Sequence, residues 1–209
     1  MAVTPLMIDL NEKQAVIVGG GLVAARRAQT LLEGGAKITI VSPDIHEILQ
    51  SEWEKGRLLW EQKQFEPGDL DDAFLIIAAT NQPEVNESVI QAAPPNTLVN
   101  AAADAKRGNV EFPSFFRRGN LSISVSTNGA SPGLSSKIKV ELQQEYNEDY
   151  EAYVDFLAES RKLIKHSPLE PEHQRFLLKE LLADSFLRKD KQLSAMKWFR
   201  NLAKEGETG

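Results

Sequence analysis

Cysteine is absent from this chain of 209 residues. That excludes disulfide cross-links, thiolate metal centres and a cysteine nucleophile. Histidine is scarce. His46, His166 and His173 are scattered, and no pair has a ligand spacing such as H-x-x-x-H, so no metal centre is expected. No apolar run reaches the roughly 18 residues of a membrane-spanning helix, so no membrane partner is expected. A basic-then-apolar leader pattern is missing at the N-terminus, so the expected location is cytoplasmic. Positive charge is in deficit: 24 Lys and Arg stand against 30 Asp and Glu, a net charge of −6. That argues against nucleic acid as the main partner. No internal repeat or low-complexity segment stands out.

What remains is an ordinary globular composition, with 42% hydrophobic and 26% charged residues, enough for a real core. Its most informative stretch is Ala15-Val-Ile-Val-Gly-Gly-Gly-Leu-Val-Ala24. An apolar run ends in three glycines and passes directly into helix formers. Gly19-x-Gly21-x-x-Ala24 fits the turn that binds a dinucleotide. Gly19 permits the tight strand-to-helix turn, Gly21 lets the backbone approach a pyrophosphate, and Ala24 lets helix and strand pack closely. The helix N-terminus offers N–H groups and a positive dipole end to the phosphates.

The first half alternates strands with helices. Leu6–Leu10, Gln14–Val18, Lys37–Val41, Leu58–Glu61, Phe74–Ala79 and Thr97–Ala101 read as strands. Leu22–Glu33 reads as a helix stopped by Gly34-Gly35. A second helix, capped by Asp44, runs to about Lys55, and a third spans Glu84–Ala93 before Pro94-Pro95. Such alternation implies a doubly wound, parallel, Rossmann-type sheet. After residue 113 the pattern changes. Leu121–Ser126 alternates strictly. Ser131-Pro132 opens a helix to about Tyr146, with serine as cap and proline in the first turn. From Asp149 onward the chain is helical in character, broken near Ser167-Pro168 and around Asp190, and residues 204–209 are expected to fray. The expected divisions are 1–112, a nucleotide-binding domain; 113–149, a middle segment; and 150–209, a helical domain.

In an open α/β sheet, ligands bind beyond the carboxyl ends of the strands. That selects Ser42, Pro43 and Asp44 for ribose hydroxyls, although Asp44 equally suits a helix cap. It also selects Thr80 and Asn81 after the fourth apolar run, and Asn100 and Asp104 after the fifth. No Arg or Lys lies in the 42–44 loop to meet a 2′-phosphate, which favours NAD over NADP; Arg26 and Arg27 keep NADP open. Arg117, Arg118, Lys137 and Lys139 are either a solvated face or a cationic patch for an anionic substrate.

Taken in order, Pro5-Leu6, Val18–Arg27, Leu31–Ala36, Ala78-Ala-Thr80, Val85-Asn86, Val99-Asn100, Phe112-Pro113, Arg118 and Ser126-Thr-Asn-Gly-Ala-Ser-Pro-Gly-Leu134 resemble the precorrin-2 dehydrogenase family, which includes the N-terminal half of siroheme synthase. The resemblance covers residues 5–145 closely. It implies NAD-dependent oxidation of precorrin-2 to sirohydrochlorin and a homodimer that exchanges residues 113–150. By position, Leu22, Val23, Pro43 and Asp44 match the family's NAD contacts, beside Gly19 and Gly21 of the turn, and the family's acidic catalytic residue falls beside Asp104, the expected catalytic carboxylate. The carboxylates of such a substrate need cations, for which Arg107, Arg117, Arg118 and Lys137 are candidates; Thr127 matches a serine in siroheme synthase, and Ser131 is expected to contact the substrate with it. The chain departs from the family where an aspartate is expected three residues after the asparagine. Ala103 stands there, and Asp104 follows one place later. The expectation is therefore a dehydrogenase without chelatase activity and without a bound metal, passing its product to a separate chelatase. A bifunctional dehydrogenase and ferrochelatase, and a non-catalytic NAD-sensing module, stand as alternatives.

Overall fold

A computed structural model of the protein describes residues 3–207. The chain divides into two compact units, Met1–Phe112 and Pro113–Gly209. In the first, strands β1 (Gln14–Val18), β2 (Lys37–Val41), β3 (Leu59–Glu61), β4 (Leu75–Ala78) and β5 (Leu98–Ala101) form one sheet in the order β3-β2-β1-β4-β5. Every pair is parallel. Past their first residues, Gln14 and Lys37, the central strands are almost wholly apolar because helices cover both faces, as parallel sheets require. Helix α1 (Leu22–Glu33) buries Ala24, Ala25, Ala28 and Leu31 against the Ile17, Ile40 and Ile77 face, together with α2 (Glu47–Glu54). Helix α3 (Pro83–Ala92) covers the Val16, Val18, Ile76 and Ala78 face with Val89. Alanines at the α1 contact let that helix lie close to the sheet.

Register decides where a ligand could enter. Val18 stands opposite Val41 on one side and Ala78 on the other. The three central strands therefore release the chain at one level. The outer edge of β5 is closed by its own continuation. Asn109 accepts from the Val99 amide at 2.7 Å and donates to the Thr97 carbonyl at 2.8 Å, acting as a neighbouring strand.

The second unit begins with an antiparallel hairpin, β6 (Ser114–Arg118) and β7 (Leu121–Val125), joined at Gly119-Asn120. Helix α4 (Pro132–Glu145) follows, then α5 (Asp149–Lys165), α6 (Pro171–Glu180) and α7 (Lys189–Glu207). Tyr153, Phe156, Ile164, Leu181, Met196 and Phe199 form their core. Tyr153 donates to the Leu181 carbonyl at 2.7 Å, so its buried hydroxyl is satisfied.

Four readings of the sequence need correction. Leu6–Leu10 is not a strand; the segment joins no sheet, and Leu6 and Met7 are about three-quarters exposed. Asp44 does not cap α2. His46 does, its Nδ1 accepting from the Ile48 amide at 3.2 Å. The break before the last helix lies at residues 181–188, and Asp190 already belongs to the first turn of α7. That helix continues through Lys204 to Glu207, where fraying was expected; residues 208 and 209 lie outside the described residues.

Candidate functional site: a glycine-turn cleft

The carboxyl ends of β1, β2 and β4 open into a cleft of about 1090 Å³ within the first unit. The three glycines contribute to it differently. Gly19 has φ +122°, and a Cβ there would stand 2.5 Å from the Ala79 carbonyl oxygen. Any L side chain at this point is strained and blocked. A Cβ on Gly20 would collide with the Asp44 carbonyl and lie 2.9 Å from Ser42 Oγ. A Cβ on Gly21 would meet nothing within 4 Å. Packing of the chain on itself therefore explains the first two glycines and not the third. Gly21 faces open space at the N-cap of α1, where no side chain caps the helix. Its first amides are left to a ligand, an arrangement suited to a pyrophosphate.

The wall after β2 is fastened to this turn. Gly19 donates to the Val41 carbonyl at 3.0 Å, and His46 donates through its amide to the Gly20 carbonyl at 2.8 Å. Trp60 Nε1 donates to the Ser42 carbonyl at 2.9 Å. Ser42, Pro43 and Asp44 thus line the cleft as a braced loop. The opposite wall holds Ala79, Thr80, Asn81, Gln82, Glu84 and Val85. Among the described residues the lining contains no lysine or arginine; its charged groups are Asp44 and Glu84. The nearby Lys63 is committed to Asp69 at 2.6 Å and Glu66 at 3.1 Å, bonds that hold its ammonium well above its ordinary range. Arg27, left open as a 2′-phosphate ligand, stacks on Phe112 at 4.5 Å, and burial lowers its pKa. These placements leave little in the cleft to attract an extra phosphate.

Of the other expected site residues, Gly19, Gly21, Leu22, Val23, Ser42, Pro43, Asp44, Thr80 and Asn81 line the cleft together. Asn100 does not. It is 3% exposed, its Nδ2 donates to the Val110 carbonyl at 2.9 Å, and its Oδ1 has no partner. Asp104 is exposed on the loop after β5, and its Oδ1 accepts from the Lys106 amide at 3.0 Å, capping a short 3-10 turn. It is not part of the cleft lining. Arg107 is paired with Glu87.

In the second unit, Arg117 lies over Phe115, while Arg118 lies over Phe116 and reaches Glu148 at 3.3 Å. Thr127 Oγ1 accepts from the Ser131 amide and donates to the Ser131 carbonyl, both at 3.1 Å. Ser131 Oγ in turn accepts from the Leu134 amide at 3.3 Å as the cap of α4. Lys137 is exposed, 3.8 Å from Glu141. Sequence reasoning missed the contribution of Gln64, Phe65 and Pro67, which follow β3 into the cleft. The signal was available, since they lie past the carboxyl end of a parallel strand.

Comparison with known proteins agrees with this geometry. A family model described as putative NAD(P)-binding matches residues 6–114. A precorrin-2 dehydrogenase of Priestia megaterium is 39% identical over 87% of this chain and 90% of its own length. One from Bacillus subtilis is 40% identical over 76% of this chain and 98% of its own. The chain belongs to the precorrin-2 dehydrogenase family. Its first unit is a Rossmann-type NAD(P)-binding domain. A model for the sirohaem biosynthesis protein central region matches residues 118–145, and one for the SirC C-terminal domain matches 150–194. The solved structure of SirC, a precorrin-2 dehydrogenase, superposes with a TM-score of 0.84 at 34% identity, covering 95% of this chain and all of that one.

Proposed function

We propose that this protein oxidises precorrin-2 to sirohydrochlorin with NAD as electron acceptor, a step of siroheme synthesis. The observation that carries the reading is the open Gly21 turn within a chain that is 39% identical to a precorrin-2 dehydrogenase over nearly its whole length. NAD suits the cleft because Gly21 faces unfilled space at an uncapped helix start. Gly19, Gly21, Leu22 and Val23 would hold the pyrophosphate, and Ser42, Pro43 and Asp44 the adenine ribose. Thr80 and Asn81 would border the nicotinamide. Once bound, NAD supplies the acceptor for a hydride.

The chain's own residues do the rest. The oxidation breaks one C–H bond of the substrate with its electron pair leaving as hydride, and one proton is lost to a base. Asp104 takes that proton on Oδ2, its Oδ1 being held by the Lys106 amide. Arg117, Arg118 and Lys137 receive carboxylates of the anionic tetrapyrrole, and the self-satisfied Thr127–Ser131 turn supports them as scaffold. The functional divisions are 1–112 for NAD, 113–149 for pairing two copies and 150–209 as a helical domain. Half-buried Leu121, Ile123 and Val125, with exposed Leu134 and Val140, support a homodimer built on the middle segment. The reaction runs in the cytoplasm.

The protein performs the oxidation alone and hands sirohydrochlorin to a separate chelatase. Ala103 at the expected acidic position supports this. Incubation with precorrin-2 and NAD is expected to raise NADH absorbance; no turnover overturns the proposal. Metal insertion into sirohydrochlorin by ferrous or cobalt ion is expected to stay at the uncatalysed rate, and a clear acceleration would restore the bifunctional reading.

A further inference from the structure

Strand β4 has a problem at its carboxyl end. Ala79 still donates to the Val18 carbonyl at 2.9 Å, but beyond that point β1 has turned away at Gly19. The next peptide loses its sheet neighbour just where it enters the cleft. Asn86 supplies one. It lies in the first turns of α3, whose Cα–Cβ bonds tilt towards the helix N-terminus and so back towards the strand end. Its Oδ1 accepts from the Thr80 amide at 3.0 Å, and its Nδ2 donates to the Thr80 carbonyl at 3.0 Å. The Thr80 hydroxyl is 2.9 Å from the same Oδ1 and accepts from the Gln82 amide at 3.1 Å. Asn86 itself is not among the cleft-lining residues, whereas Thr80, Asn81 and Gln82 are.

We infer that Asn86 is a positioning residue for NAD, acting through the Thr80 peptide. This rests on the proposed use of NAD. The amide side chain reads both polar groups of one backbone residue, as an adjoining strand would. It fixes the wall that stands against the glycine turn, where Thr80 N lies 3.0 Å from the place a Gly19 Cβ would take. With the Thr80 hydroxyl consumed internally, Asn81 is a polar side chain this wall still presents to the cofactor, beside Gln82 and Glu84. An asparagine is required in both of its halves. A carboxylate would keep the acceptor and set a negative oxygen against the Thr80 carbonyl.

Asn86→Ala and the near-isosteric Asn86→Asp test this by steady-state kinetics and by calorimetric NAD titration. The KM and Kd for NAD are expected to rise about ten-fold in both variants, equivalent to about 1.4 kcal/mol. The KM for precorrin-2 is expected to stay within about two-fold and kcat within about three-fold, a split that general loosening would not give. Asn86→Asp covers the case in which the alanine variant fails to fold. Unchanged NAD affinity in a folded variant, or equal loss in all three parameters, overturns the inference. Failure of the unmodified protein to bind NAD would instead overturn the reading beneath it.

Discussion

Two turns in this molecule each carry glycine and open a helix, and they differ in where their polar groups go. At Gly19–Gly21 the helix start has no side-chain cap, and Gly21 borders empty space. At Thr127–Ser131 the donors are answered from within: Thr127 holds Ser131, and Ser131 caps α4. A turn that satisfies itself can serve as scaffold. A turn that leaves its amides open needs a ligand or water to complete it. The contrast separates two segments that share a glycine-rich look in the sequence.

Perturbations of the two turns are expected to have unlike consequences, and they are measured against loss of the proposed base, the largest effect expected. Asp104→Ala should lower kcat by about 10²- to 10⁴-fold while NAD affinity changes far less; equal losses in kcat and affinity would assign the carboxylate another role. Gly21→Asp should weaken NAD binding by about a hundred-fold, since a side chain and a negative charge would meet the pyrophosphate. Calorimetry on the folded variant checks it, and unchanged affinity would erase the distinction between the turns. Gly20→Ala should act on the fold, because its Cβ meets the Asp44 carbonyl. A loss of about 1–3 kcal/mol in denaturant unfolding is expected. Ser131→Ala is the smallest: removing the α4 cap should cost about 1 kcal/mol, seen as a lower Tm, with NAD affinity unchanged.

Much of the first unit was legible because its signals are local. Gln14–Val18, Leu22–Glu33 and Lys37–Val41 have the same boundaries in the structure as in the sequence reading, where apolar runs and glycines mark the changes of period. Leu6–Leu10 misled because an apolar run says nothing about whether a neighbouring strand exists to pair with it. The hairpin's first strand, Ser114–Arg118, was overlooked although Gly119-Asn120 is a two-residue turn signal. Asp44 is the better cap by residue type, yet His46 caps α2. Fastening of the 42–46 loop to Gly20 chose between them.

The sequence by itself determined the sheet class, the glycine turn and the family, because strand period, turn chemistry and motif order are properties of neighbouring residues. Only the tertiary structure decided which polar groups remain available. It withdrew Asn100 into the sheet, stacked Arg27 on Phe112, tied Lys63 to two carboxylates and placed Asn86 behind Thr80. Availability depends on which partner the fold turns towards each group, whether far along the chain, as Phe112 is from Arg27, or a few residues away, as Asn86 is from Thr80, and residue type does not record that choice.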